Sequence, residues 1–165
     1  MNGLRLLNVY PETISDGVGL RYSIYLSGGS HCCTGCHNPG SWSPLAGAII
    51  DDAIVERIIS EINANPLLDG VTFSGGDPFF NPEGFYELLR AIKLGTGKNV
   101  WCYTGFLYEE LAFVEKYSKA LKYIDVLVDG RFIKDLHDPR LYFRGSSNQR
   151  VLVLKDGEAV GEYRF

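Results

Sequence analysis

The sequence has no long hydrophobic run: nothing in its 165 residues approaches the roughly 20 apolar residues that span a bilayer. Its opening stretch, MNGLRLLNVYPETISDG, lacks the apolar core of a secretion signal, so the expected compartment is the cytoplasm. Cysteines are few, four in all, and three of them crowd into Cys32, Cys33 and Cys36 while Cys102 stands far away. Near-adjacent thiols without distant partners make a poor disulfide framework, and in a reducing compartment they favour metal binding. There is no large excess of charge of one sign: 16 Lys and Arg stand against 20 Asp and Glu, a net charge of −4, and the basic residues are scattered. That balance argues against a nucleic-acid footprint or an anionic-membrane patch. Repeats, low-complexity tracts and linkers are also missing, which points to a single domain over residues 1–165.

What is present is an alternation of short apolar runs with amphipathic stretches. Arg21 to Ser27 (RYSIYLS), Gly70 to Ser74 (GVTFS), Asn99 to Tyr103, Ile124 to Asp129 and Arg150 to Leu154 read as strands. Between them, Asp51 or Asp52 caps a helix with Ile54, Val55, Ile58, Ile59 and Ile62 on one face. Asn81-Pro82 opens a second helix that Gly95 closes, and Leu107 to Lys119 forms a third. Strands separated by helices imply an α/β fold with a mostly parallel sheet of about five to six strands. Closing a barrel takes roughly 250 residues, so this chain is expected to form an open, partial (β/α) barrel. Ligands in such sheets sit beyond the carboxyl ends of the strands. The loops there are Gly28 to Trp42, Gly75 to Pro78, Thr104-Gly105 and Asp129 to Arg131.

Two of these loops carry chemistry. In Ser27 to Pro39 (SGGSHCCTGCHNP), three thiols on a glycine-rich loop can converge on one soft metal centre. An iron–sulfur cluster is one such centre; a zinc ion using His31 or His37 beside the cysteines is another, although structural zinc sites usually draw on two separated ligand pairs. The second loop is Ser74-Gly75-Gly76-Asp77-Pro78, where two glycines let backbone approach a ligand and Asp77 offers a carboxylate suited to an ammonium group. Taken alone it is also an ordinary Gly-Gly-Asp-Pro turn. Cys102, within WCYTG (101–105), reads as a buried small hydrophobe, Trp101, Tyr103 and Thr104 as core or pocket wall, and His137 as a solvated loop residue.

A thiolate loop after the first strand and a Gly-Gly-acid loop after the second resemble the radical S-adenosylmethionine family. Further segments narrow the resemblance to the activases of anaerobic ribonucleotide reductases: Gly35-Cys36-His37-Asn38, Trp42, SGGDP (74–78), WCYTG (101–105), VLVDGRF (126–132), Lys134-Asp135-Leu136, Asp138-Pro139 and RGSSNQ (144–149), in that order from about Val18 to Arg150. The resemblance implies a partial barrel of the radical S-adenosylmethionine type, a four-iron–four-sulfur cluster, and S-adenosylmethionine as cofactors. It implies S-adenosylmethionine contacts from Gly35, Cys36 and His37, from Ser74, Gly75, Gly76 and Asp77, and from Asp129, with Arg131 close by. Family members ligate the cluster through C-x3-C-x2-C. Aligning His31, Gly35-Cys36, Asn38 and Trp42 puts Cys33 and Cys36 on the second and third ligand positions, and Gly29 on the first. Cys32 is an extra thiol and the candidate stand-in for the third ligand. The implied activity is reductive cleavage of S-adenosylmethionine to leave a glycyl radical on an anaerobic ribonucleoside-triphosphate reductase, with a reduced flavodoxin-type electron donor. The alternatives are an activase of another glycyl radical enzyme, such as pyruvate formate-lyase, and a non-catalytic relative impaired at Gly29.

Overall fold

The computed structural model describes residues 2–28 and 47–165. Gly29, Cys32, Cys33, Gly35, Cys36 and His37 therefore lie outside the described residues, and so do the readings that rest on them. The described chain forms strands β1 (Arg5–Thr13), β2 (Arg21–Leu26), β3 (Ala48–Ile49), β4 (Gly70–Gly75), β5 (Asn99–Tyr103), β6 (Val126–Asp129), β7 (Arg150–Lys155) and β8 (Glu158–Glu162). Helices α1 (Asp52–Ala64), α2 (Pro82–Thr96), α3 (Tyr108–Ala112) and α4 (Glu115–Leu121) alternate with the middle strands.

The α/β class is as expected, but the sheet is not mostly parallel and not five to six strands wide. Its eight strands run in the order β3-β1-β2-β4-β5-β6-β7-β8. Only β2, β4, β5 and β6 are parallel to one another; β1 and β3 extend one side and β7 and β8 the other through antiparallel pairings. Three strands were hidden in the sequence for physical reasons. β1 is mostly half-buried or exposed and contains Pro11, which falls inside a register shift against β2. β3 has two residues, too few for any period. β8 is exposed throughout, so it lacks an apolar signal. Its turn was nevertheless legible: Asp156 and Gly157 both have positive φ (53° and 85°), the conformation that makes Asp-Gly a hairpin turn.

Two further corrections concern helices. α2 runs through Gly95 and ends at Gly97, whose φ is 65°. Gly95 is internal because a Cβ there would come within 3.0 Å of Ile59, so it serves close packing of α1 on α2. The third helix breaks at Phe113-Val114 into α3 and α4. Leu111 and Leu121 are both buried, and a continuous helix, at about 100° per residue, would turn one roughly 80° off the face of the other. The break re-phases the chain onto the core.

Side chains alternate across the strands. Tyr22, Ile24, Val71, Phe73, Val100, Cys102 and Leu127 point into the main core, where α1 adds Val55, Ile58 and Ile62 and α2 adds Phe85, Leu88, Leu89 and Ile92. The opposite set, Trp101, Val126, Val128 and Val151, forms a smaller cluster with Tyr103, Phe143 and Tyr163. Buried Arg21 lies over the Trp101 ring and donates to Thr72 Oγ1 (2.8 Å) and to the carbonyls of Val18 (2.9 Å), Val71 (2.9 Å) and Asn99 (3.1 Å). It thereby ties the starts of β2, β4 and β5 together, and burial lowers its pKa to about 10.

At the other side of the sheet one residue holds both ends of the 29–46 segment. The Arg5 carbonyl accepts from Ser27 N (3.1 Å), and the Arg5 guanidinium donates to the Gly47 carbonyl (3.0 Å). Gly47 has φ 78°, and a Cβ on it would meet Leu6 O at 2.2 Å, so only glycine fits.

Candidate functional site

The carboxyl ends of the four parallel strands converge, and the first two are laced by backbone. Gly76 N donates to Leu26 O (2.8 Å) and Asp77 N donates to Gly28 O (2.6 Å). The lacing needs glycine: Gly75 has φ 115°, and a Cβ would lie 2.1 Å from Leu26 O. Gly28 has φ 98° and packs under the Phe80 ring. The chain thus leaves β2 toward residue 29 directly beside the Gly75-Gly76 backbone. Ser74, Gly75 and Gly76 are half-buried there.

Asp77 behaves differently from the expectation of a carboxylate offered to a ligand. It is 3% exposed. Its Oδ1 accepts from Phe79 N (3.0 Å), its Oδ2 from Gly105 N (2.9 Å), and the Thr104 hydroxyl donates to the pair at 2.9 and 3.1 Å. By accepting these bonds the carboxylate caps the short 3-10 turn Pro78–Phe80 and fastens the loop after β4 to the loop after β5. Burial pushes the carboxyl pKa up to about 6 even though each of these hydrogen bonds favours the ionised form. Cys102 is buried nearby, its thiol pushed upward by desolvation and by the Asp77 charge.

Asp129, at the end of β6, is fully buried. Arg150, its register partner on β7, donates to both carboxylate oxygens, and Tyr108 N at the start of α3 donates to Oδ2 at 2.8 Å. Arg150 also donates to Glu109 (2.7 Å), and these two carboxylates raise its pKa above the ordinary guanidinium value. The loop that follows, Gly130 to Phe132, is held by the RGSSNQ segment. Gln149 Nε2 donates to Gly130 O (2.9 Å) while its Oε1 accepts from Gly145 N (2.9 Å) and Ser146 N (3.1 Å). Asn148 Nδ2 donates to Arg131 O (2.8 Å), and Ile133 N donates to the Ser146 hydroxyl (3.1 Å). VLVDGRF and RGSSNQ, which have no obvious connection in sequence, are two halves of one hydrogen-bonded unit.

Comparison with known proteins turns this arrangement into a family assignment. Residues 15–152 match the family model described as a 4Fe-4S single cluster domain. The anaerobic ribonucleoside-triphosphate reductase-activating protein of Haemophilus influenzae is 38% identical over 153 residues, covering 90% of this chain and 97% of the relative. The protein of that name from Escherichia coli K12 is 36% identical over 151 residues, covering 88% and 96%. One from Enterobacteria phage T4 is 32% identical over 152 residues, covering 90% and 94%. The chain belongs to the anaerobic ribonucleoside-triphosphate reductase-activating proteins.

Within this activating-protein chain, the structure brings Ser74, Gly75, Gly76 and Asp77 to the same sheet end as Asp129, with the Asp77 and Asp129 carboxylates both turned to protein partners. Among the described residues, no three His, Cys, Asp or Glu side chains gather so as to hold a metal ion; Cys32, Cys33 and Cys36 are outside them. Sequence reasoning placed Thr104 in a strand-end loop and Gln149 in the RGSSNQ segment without finding their partners, and it gave no role to Tyr108 and Arg150. The signal for Arg150 was available, as a cation opening the strand that follows an acid-ended one. The bonds of Thr104 to Asp77 and of Gln149 to Gly130 gave no signal, because they span 27 and 19 residues. Among the described residues, no helix is long and apolar enough to cross a membrane.

Proposed function

We propose that this chain is a radical S-adenosylmethionine oxidoreductase that installs a glycyl radical on an anaerobic ribonucleoside-triphosphate reductase. The carrying observation is the backbone lacing of Leu26 and Gly28 to Gly76 and Asp77. It starts the thiolate segment beside the Gly-Gly loop, so a cluster on one and a cofactor on the other would be neighbours. The relatives' names supply the partner. In this reading Cys33 and Cys36, with Cys32 as third thiol, hold a 4Fe-4S cluster. Gly35 to His37 and Ser74 to Gly76 bind S-adenosylmethionine through backbone, and Asp77 keeps the latter loop in place. When bound, the cluster and S-adenosylmethionine supply the one-electron chemistry that removes a hydrogen atom from a partner glycine. The protein's own task is to orient them and exclude water and oxygen, which needs no ionisable base. Asp129, paired with Arg150, ends β6 at the rim, where Gln149 and Asn148 hold Gly130 and Arg131. A single domain in the form of an open partial barrel would leave that rim reachable by a macromolecular substrate. A reduced flavodoxin-type protein is the proposed electron donor and the cytoplasm the proposed compartment.

The test is to mix the reduced chain, S-adenosylmethionine and the reductase of the same cell without oxygen, and to record electron paramagnetic resonance. The expected result is the doublet of a glycyl radical. No doublet from this chain, but one from Gly29→Cys, identifies a chain crippled at its cluster. Activation of pyruvate formate-lyase in place of the reductase overturns the partner.

A further inference from the structure

The rim loop from Gly130 to Gln149 is built to be rigid yet leaves apolar side chains in water. Leu136 N donates to Ile133 O (3.0 Å), His137 N to Lys134 O (3.1 Å), Asp138 N to Gly145 O (3.1 Å) and Ser147 N to Leu136 O (2.9 Å). The Phe132 ring fills the space over Gly145, where a Cβ would approach within 2.9 Å. From this frame Ile133 and Leu136 project at 42% exposure each, while Tyr142, farther along the loop, stacks on Phe165 with ring centroids 5.3 Å apart. Between Ile133 and Leu136 stands exposed Lys134, and Arg131 is exposed near the start of the loop. The loop carries four Lys or Arg against two Asp, in a chain whose net charge is −4, and since Asp138 pairs with Arg140 at 2.9 Å, Arg131, Lys134 and Arg144 remain against Asp135. A preformed surface of apolar groups beside cations binds with little ordering cost, and Arg is a residue that recurs in protein interfaces.

We infer that the Ile133–Leu136 face is the docking surface for the protein substrate, and that it receives an acidic segment with apolar side chains next to the target glycine. The inference rests on the proposed function and deepens it. Charge selects the occupant: the basic loop sits on an otherwise acidic chain, so an acidic segment is drawn to this rim and repelled elsewhere. Position agrees, because the loop continues directly from the end of β6, at the edge where the target glycine must arrive.

The experiment is a binding titration of the reductase against the intact activating protein, the Lys134→Glu variant and the Ile133→Ser, Leu136→Ser double variant. The loop's hydrogen bonds at these positions are made by backbone, so the substitutions leave the frame in place, and unchanged melting temperatures check this. Each variant should weaken reductase binding by about tenfold or more, and Lys134→Glu should also flatten the salt dependence of the affinity. S-adenosylmethionine cleavage by dithionite without reductase should stay at the parent rate. Parent-like reductase affinity in both variants overturns the inference. So does a change confined to self-association, which would assign the face to a second copy. Failure of the parent chain to bind the reductase at all overturns the proposed function instead, and this inference with it.

Discussion

Asp77 sits where burial and hydrogen bonding oppose each other, and burial prevails: its pKa is about 6 against an ordinary 3.8. The native chain therefore holds this proton more tightly than the unfolded chain. The stabilisation is complete below about pH 4 and is lost as pH rises through about 6, on the order of 3 kcal/mol in all. Urea titrations at pH 4 and pH 7 should show that fall, and Asp77→Asn should largely remove it. An unchanged slope in the Asn variant would mean that another group titrates. Cys32 and Gly29 are the other pair to settle residue by residue. If Cys32 stands in as a ligand, anaerobic reconstitution should give about four irons per chain, and Cys32→Ala should lose them. Gly29→Cys should then raise iron content and slow cluster loss; no change would show that the alignment of this loop is displaced.

Among the elements, the unit made from the ends of β6 and β7 depends on Gln149 more than on any exposed side chain. Gln149→Ala deletes three hydrogen bonds at once and should cost about 1–3 kcal/mol. Hydrogen exchange should localise the loosening to Gly130–Ile133, and faster exchange spread over the whole sheet would argue against a local unit. The parallel strands were legible because they are buried on both faces: β6 is buried along its whole length and reads as an unbroken apolar run. β1 and β8, with one face or both in water, carry no such run. The same logic governs the site. Glycines at a strand end announce a tight backbone approach, and Gly75 makes one to Leu26 of the neighbouring strand. The destination of the Asp77 carboxylate was not legible, since Thr104 reaches it only once β5 lies beside its loop.

Over the whole molecule, helices cover one face of the sheet, while part of the other is covered by chain from the far end of the sequence. Tyr163 and Phe143 pack on Trp101 with ring centroids 5.5 Å away, and Tyr163 N donates to Val151 O at 2.7 Å. Ending the chain after Lys155 should uncover Trp101 and lower stability by roughly 2–4 kcal/mol. In a Trp42→Phe background the remaining tryptophan fluorescence should shift to the red. A truncated chain with parent emission and parent stability would show that β8 and the tail are dispensable to the second core.

Arg5 has a consequence for metal capture. By gripping the carbonyl of Gly47 with its side chain and the amide of Ser27 with its own carbonyl, it fixes in the sheet the two points between which residues 29–46 run. Closing a ring of that size costs on the order of 2–3 kcal/mol, and strand pairing meets that cost before iron arrives. On the proposed ligation, closure would precede the metal, in contrast to a zinc finger, which must fold around its ion. Stripping the iron should therefore leave the circular dichroism of the sheet intact. Arg5→Ala should speed iron loss to a chelator while shifting the melting temperature of the metal-free chain only slightly.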